Sequence, residues 1–82
     1  MEKTTKYSLN KDLILGAIAF KYRTVSRYCR ESKISRSRFY EIINTIYSSK
    51  KSIAVKKIQR DLDLLEGLLW VEEDYYEFNW GN

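Results

Sequence analysis

Arg36, Ser37 and Arg38 follow Ser35 in unbroken succession, and Tyr40 and Asn44 come behind them at helical spacing. An arginine so placed can bond bidentately to guanine in a major groove, and a serine can bond either a base edge or a phosphate. If a helix starts at Ser35, the Ser35 and Ser37 hydroxyls and the unpaired first-turn N–H groups also suit phosphate oxygens. Arg23, Arg27 and Arg30 precede this group and suit the flanking strand, while Tyr40 suits a sugar or a thymine methyl. A second set of donors, Lys56, Lys57, Gln59 and Arg60, follows later in the chain. This is the chemistry of holding a polyanion.

The groups that make and break bonds are missing. The sequence has no His, no glycine-rich phosphate loop, and one cysteine, Cys29, with no base to pair with it. A small buried apolar role suits that cysteine. Asp61 and Asp63 stand two apart and face different ways on a helix. Glu72, Glu73 and Asp74 lack the Gly and the spacing of a calcium loop. No enzyme activity, catalytic residue, metal or cofactor is expected.

The elements that must position the basic groups can be read from apolar spacing. Residues 1–7 are polar and are expected to fray. A first helix starts at Ser8 or Asn10, with Leu9, Leu13, Ala17 and Phe20 or Lys21 on one face and Ile14 and Ile18 beside it. Gly16 in its middle costs about 1 kcal/mol relative to Ala and leaves room for another helix to approach. Thr24 or Ser26 caps a short second helix ending near Ser32, with Val25, Tyr28 and Cys29 inward. Ser35 caps a third, whose stripe is Phe39, Ile42, Ile43, Ile46 and Tyr47. A polar linker over residues 48–52 leads to a fourth helix from Ile53 to Glu66, stopped by Gly67. Its apolar face holds Val55, Ile58, Leu62, Leu65 and Leu69. Residues 69–80 hold two aromatic-rich runs that suggest a hairpin turning at Glu73 and Asp74. The fold class expected is thus mainly α, with about four helices and a C-terminal β-hairpin, in a single domain over residues 1–82.

Charge is sharply divided along this chain. Residues 1–60 hold all 15 basic residues and four acids (Glu2, Asp12, Glu31 and Glu41), whereas residues 61–82 hold seven acids and no base. A basic face concentrates anionic polymers, and nucleic acid is the obvious one. With 82 residues, 44% of them apolar, there is one modest core. The longest uncharged stretch after the N-terminus, Leu13 to Phe20, is eight residues, far short of the ~18 that cross a membrane. No small-residue cleavage site follows it, so no membrane association and a cytoplasmic location are expected.

Residues 25–43 also carry a resemblance. Cys29, Ile34, Phe39 and Ile42 fall where the helix-turn-helix DNA-binding superfamily has its small residue, its turn hydrophobe and two inward positions. Residues 34–40 look like the start of the recognition helix in TetR-type and other homeodomain-like regulators. Lys33 departs from the pattern, since the family commonly has Gly where the turn needs a left-handed backbone. Residues 55–74 are similar to the recognition helix and wing of winged-helix regulators of the DeoR type, in which Lys56, Lys57, Gln59 and Arg60 would face DNA. Against this second likeness, no separate supporting helix fits between Ile46 and Val55, and the wing would carry Glu72, Glu73, Asp74 and Glu77.

The resemblance implies binding of double-stranded DNA by a small transcriptional regulator, with a homodimer supplying affinity that one half-site reader lacks. Its expected contacts are Arg23, Arg27, Arg30, Ser35, Arg36, Ser37, Arg38, Tyr40 and Asn44, joined by Lys56, Lys57 and Arg60. The alternatives are a DNA-packaging or replication adaptor, or a protein-interaction module. In the last, the acidic hairpin with Glu73, Tyr75 and Trp80 meets a basic partner, and aromatics on an edge strand suit a dimer contact.

Overall fold

Asn10 sets the first helix. Its side chain accepts from the Leu13 N–H at 3.1 Å, and α1 runs Lys11–Lys21 with Asp12 in its first turn. The computed structural model describes residues 3–76. Thr24 caps α2, Val25–Ser32; Ser35 caps α3, Arg36–Asn44; and Ser52 caps α4, Ile53–Asp61, each hydroxyl accepting from the N–H three residues on. A four-residue helix α5, Glu66–Leu69, follows. Strands β1, Lys3–Leu9, and β2, Trp70–Tyr76, complete the order β1-α1-α2-α3-α4-α5-β2.

The class is mainly helical with an antiparallel β-pair at the C-terminal segment, as expected. The partner strand, however, comes from the other end of the chain. Leu9 pairs with Trp70, Tyr7 with Glu72, Lys6 with Glu73 and Lys3 with Tyr76. β2 therefore runs straight through Glu73 and Asp74, where a turn was expected, and β1 takes in residues that were expected to fray. Two causes stand out. Glu73 and Asp74 offer no Gly or Asn for the positive φ angles of a two-residue hairpin. The segment Lys3–Leu9, with two Thr and a Tyr, suits a pleated strand and sets Lys6 against Glu73. Thr5 Oγ1 donates to Asp74 at 3.2 Å. At the inner end, Tyr7 and Tyr47 exchange both backbone hydrogen bonds, at 2.7 and 2.8 Å. Trp70 meets the rings of Tyr7 and Tyr47 edge-on there.

The fourth helix is also shorter than its apolar spacing predicts. It ends at Asp61, and Asp63 takes φ 52°. A straight continuation would carry Leu69 about 10 Å past Leu62, beyond a core this small. The break instead turns residues 62–69 back along α1. Lys21 meets Asp63 at one end, and the Asn10 backbone N–H donates to the Leu69 carbonyl at the other. Gly67 lies inside α5 and is not the stop.

Tyr28, Phe39, Ile14, Ile18, Ile58, Leu62, Leu69 and Val55 fill the core. On α1 the buried stripe centres on Ile14 and Ile18, with Leu13 and Ala17 half-buried and Phe20 outside at 88% exposure. A Cβ at Gly16 would meet nothing within 4 Å, so no helix approaches there. Ile46 lies past the end of α3 and Leu65 outside α4, and both are exposed. Among the described residues, no helix is long and apolar enough to cross a membrane.

Candidate nucleic-acid interface

The α2–α3 unit is built from the four residues its spacing singled out. Cys29, Phe39 and Ile42 are buried, Ile34 packs against them half-buried, and the Ile34 N–H donates to the Cys29 carbonyl at 3.0 Å. Burial pushes the Cys29 thiol up, the charge of Arg36 offsetting part of this. The group stays a neutral, small packing element. Between the helices Lys33 takes φ 60°, ψ 39° and caps α2. That is the left-handed turn position, held by a side chain that disfavours it. Lys33→Gly is expected to raise stability by about 0.5–1 kcal/mol, which thermal unfolding would register as a Tm higher by roughly 2–8 °C.

Burying Phe39, Ile42 and Ile43 turns the rest of α3 outward. Arg36, Ser37, Arg38, Tyr40, Glu41 and Asn44 are all exposed. Ser35 Oγ accepts from the Arg38 N–H at 3.1 Å, so its oxygen caps the helix. Arg36 reaches back to Ser26 on α2 (3.3 Å), a long contact to an uncharged acceptor that a phosphate or base can replace. Arg38 is paired with Glu41 one turn on, and Arg27 with Glu31 along α2. Both pairs are half-exposed and hold their arginines weakly. Tyr40 lies edge-on to Phe39 with its ring partly open. Arg30 is exposed in the last turn of α2. Arg23, also exposed, closes α1 in a left-handed conformation, φ 73°.

The α4 cations divide in two. Lys57, though exposed, is paired within the chain, 2.9 Å from Asp61, whose same oxygen accepts from the Tyr28 hydroxyl (3.0 Å) and the Ser32 hydroxyl (3.4 Å). Asp61 thus ties α4 to α2. Lys56 and Arg60, one turn apart, line an open cleft of about 530 Å³ with Gln59 and Lys50. Asp63, Leu64 and Glu66 line it as well. Lys50, whose ammonium lies 5.2 Å from the Tyr7 ring centroid, was not among the expected contacts. Its only trace in the sequence is the Lys50-Lys51 pair in the linker before α4.

The acidic surface differs from its expectation. Glu73 is half-buried opposite Lys6, and the Tyr75 backbone lies opposite Thr4. Trp80 lies outside the described residues. The strand pair joins the two ends of the chain, so a wing of two consecutive strands after α4 is not present among the described residues. Nor does any group of three or more His, Cys, Asp or Glu among them sit together as metal ligands. Comparison with family models, with curated proteins and with solved structures finds no match.

Proposed function

We propose that this domain binds double-stranded DNA sequence-specifically, as a small, dimeric transcriptional regulator with α3 in the major groove. The observation that carries the reading is the outer face of α3. Six polar or aromatic side chains project from it, two of them arginines in its first turn, and the opposite face is locked into the core. Arg23, Arg27 and Arg30 meet the flanking phosphates. Lys56 and Arg60, with Lys50, give a second backbone contact from α4.

Fluorescence-anisotropy titration against random and genomic duplex pools at two salt concentrations tests this. The expected result is binding that weakens steeply with salt and prefers some duplexes over others. Lys56→Ala with Arg60→Ala should lower affinity about fivefold to tenfold, equally for all duplexes, and reduce the salt slope by roughly 2. Absence of binding near physiological salt would sink the reading.

A further inference from the structure

The cleft beside α4 carries charges of both signs that do not neutralise each other. Lys56 and Arg60 stand one turn apart on α4, and Lys50 reaches the same opening from the segment before it. Glu66 lines it too, from the chain that follows α4. None of these four has an ion-pair partner among the described residues, whereas Asp63, also in the lining, is paired with Lys21. The walls are held in place by the backbone. The Asp63 N–H donates to the Arg60 carbonyl (3.3 Å) and the Leu64 N–H to the Gln59 carbonyl (2.9 Å), so the chain leaving α4 closes tightly on the helix end. Leu64 packs half-buried on the core and gives the cleft one apolar surface. The ammonium of Lys50 rests against the Tyr7 ring.

We propose that this cleft is a regulatory site for a small phosphate monoester on a hydroxylated skeleton, a sugar phosphate or a mononucleotide. Charge selects that class first. Three cations face one carboxylate not already neutralised, an excess of two positive charges. A phosphate monoester carries about −1.5 to −2 near neutral pH and matches that excess, while a carboxylate or a backbone phosphodiester brings a single charge. Hydrogen bonding selects it again. The planar fork of Arg60 and the ammonium groups of Lys50 and Lys56 suit the three oxygens of one phosphate. Glu66 and the Gln59 carboxamide then remain to accept from O–H donors, which a sugar ring supplies and the interior of a DNA backbone does not. Size agrees, since about 530 Å³ lies within the roughly 300–1,000 Å³ of small-molecule sites. A bound monoester would occupy the cations assigned above to the DNA backbone, so it and the duplex bind antagonistically.

That antagonism rests on the DNA reading above, whereas binding to the cleft does not, so the first test contains no DNA. Isothermal titration calorimetry of the full chain uses adenosine 5′-monophosphate, ribose 5-phosphate, adenosine and inorganic phosphate as probes. One-to-one binding of a monoester is expected, about tenfold tighter than inorganic phosphate, with no binding of adenosine. Equal affinity for the two monoesters identifies a sugar phosphate, and tighter binding of the nucleotide identifies a base resting on Leu64. Lys56→Ala with Arg60→Ala should weaken the monoester at least about tenfold with an unchanged circular dichroism spectrum, since both side chains are exposed. Glu66→Ala should weaken the monoester about fivefold yet leave inorganic phosphate unchanged or tighter, because it removes an acceptor and a like charge together. No binding of either monoester up to about 5 mM, affinity no better than that of inorganic phosphate, or a Glu66→Ala variant that tightens both would overturn the site. In the second test, a saturating monoester should lower duplex affinity about fivefold to tenfold, as the double variant does. Unchanged duplex affinity would overturn the regulatory role, and a chain that binds the monoester but no duplex would fail the DNA reading alone.

Discussion

Replacing Arg36 and Arg38 together by alanine should lower affinity for the preferred duplex at least a hundredfold while the domain stays folded. Neither guanidinium supports the core. Arg36 rests on Ser26 through one 3.3 Å contact, and Arg38 on Glu41 through an exposed pair. Loss of these should change stability by less than about 1 kcal/mol. On DNA each becomes a charge-assisted donor in the first turn of an inserted helix. A bidentate contact to guanine is worth roughly 1–3 kcal/mol; two near the middle of that range account for about a thousandfold, so a hundredfold is reached even if one of them is weaker. Anisotropy on matched and mismatched duplexes separates the roles. An arginine that reads a base flattens discrimination at one position, whereas one on phosphate lowers all affinities alike and the salt slope by about 0.9. Glu41→Gln supplies the opposite sign, because it releases Arg38 and should tighten binding. A folded double variant that binds as wild type would remove α3 from the interface and leave Lys56, Arg60 and Lys50 as the candidates.

Local chemistry in this chain could be read from the sequence, and long-range pairing could not. Thr24 and Ser35 announce helix starts because a cap is an interaction over three residues, complete within its own segment. Cys29, Ile34, Phe39 and Ile42 are legible for the same reason: their spacing fixes which side of each helix is buried. β1 and β2 are joined across more than sixty residues, and neither has a turn to reveal its partner. The one trace of their pairing is the division of charge along the chain, which suggests an attraction for another molecule just as readily. Part of it acts inside the fold, where Lys6 lies opposite Glu73. The end of α4 was hidden because Leu62 and Leu69 share a face whether the helix continues or folds back, and only the size of the core decides between the two. The cleft beside Arg60 stays hidden too, since Lys50 and Arg60 lie ten residues apart and only the fold brings them to one opening.

Asp61→Ala should cost about 2–4 kcal/mol, a large part of what holds a domain of this size together, and should lower Tm by roughly 10–20 °C. Three donors converge on one carboxylate oxygen: the hydroxyls of Tyr28 and Ser32 from α2, and the ammonium of Lys57 from α4. The Lys57 pair is half-exposed and contributes only a few tenths of a kcal/mol. Most of the cost comes from Tyr28, which is fully buried and whose hydroxyl would lose its acceptor. Burial first, and then bonding to Asp61, push that phenol well above its ordinary range, so it is a donor at neutral pH. Asp61 itself behaves differently. Burial works to raise its pKa, but the hydrogen bond from Lys57, that from Tyr28, the charge of Lys57 and the bond from Ser32 together hold it below 3.8. A carboxylate depressed by folding stabilises the native state above its unfolded pKa, and that contribution fades as pH falls through the folded value. The charge-dependent part of the Asp61 contribution should therefore be constant near neutral pH and shrink below about pH 4. Denaturant unfolding of wild type and Asp61→Asn across that range measures it, since Asn keeps an acceptor for Tyr28 and loses the charge. A gap between the two that stays unchanged down to pH 2 would mean that the charge of Asp61 contributes nothing. The contribution would then lie in the acceptor geometry alone, and Tyr28→Phe should abolish most of the remaining effect of Asp61→Ala.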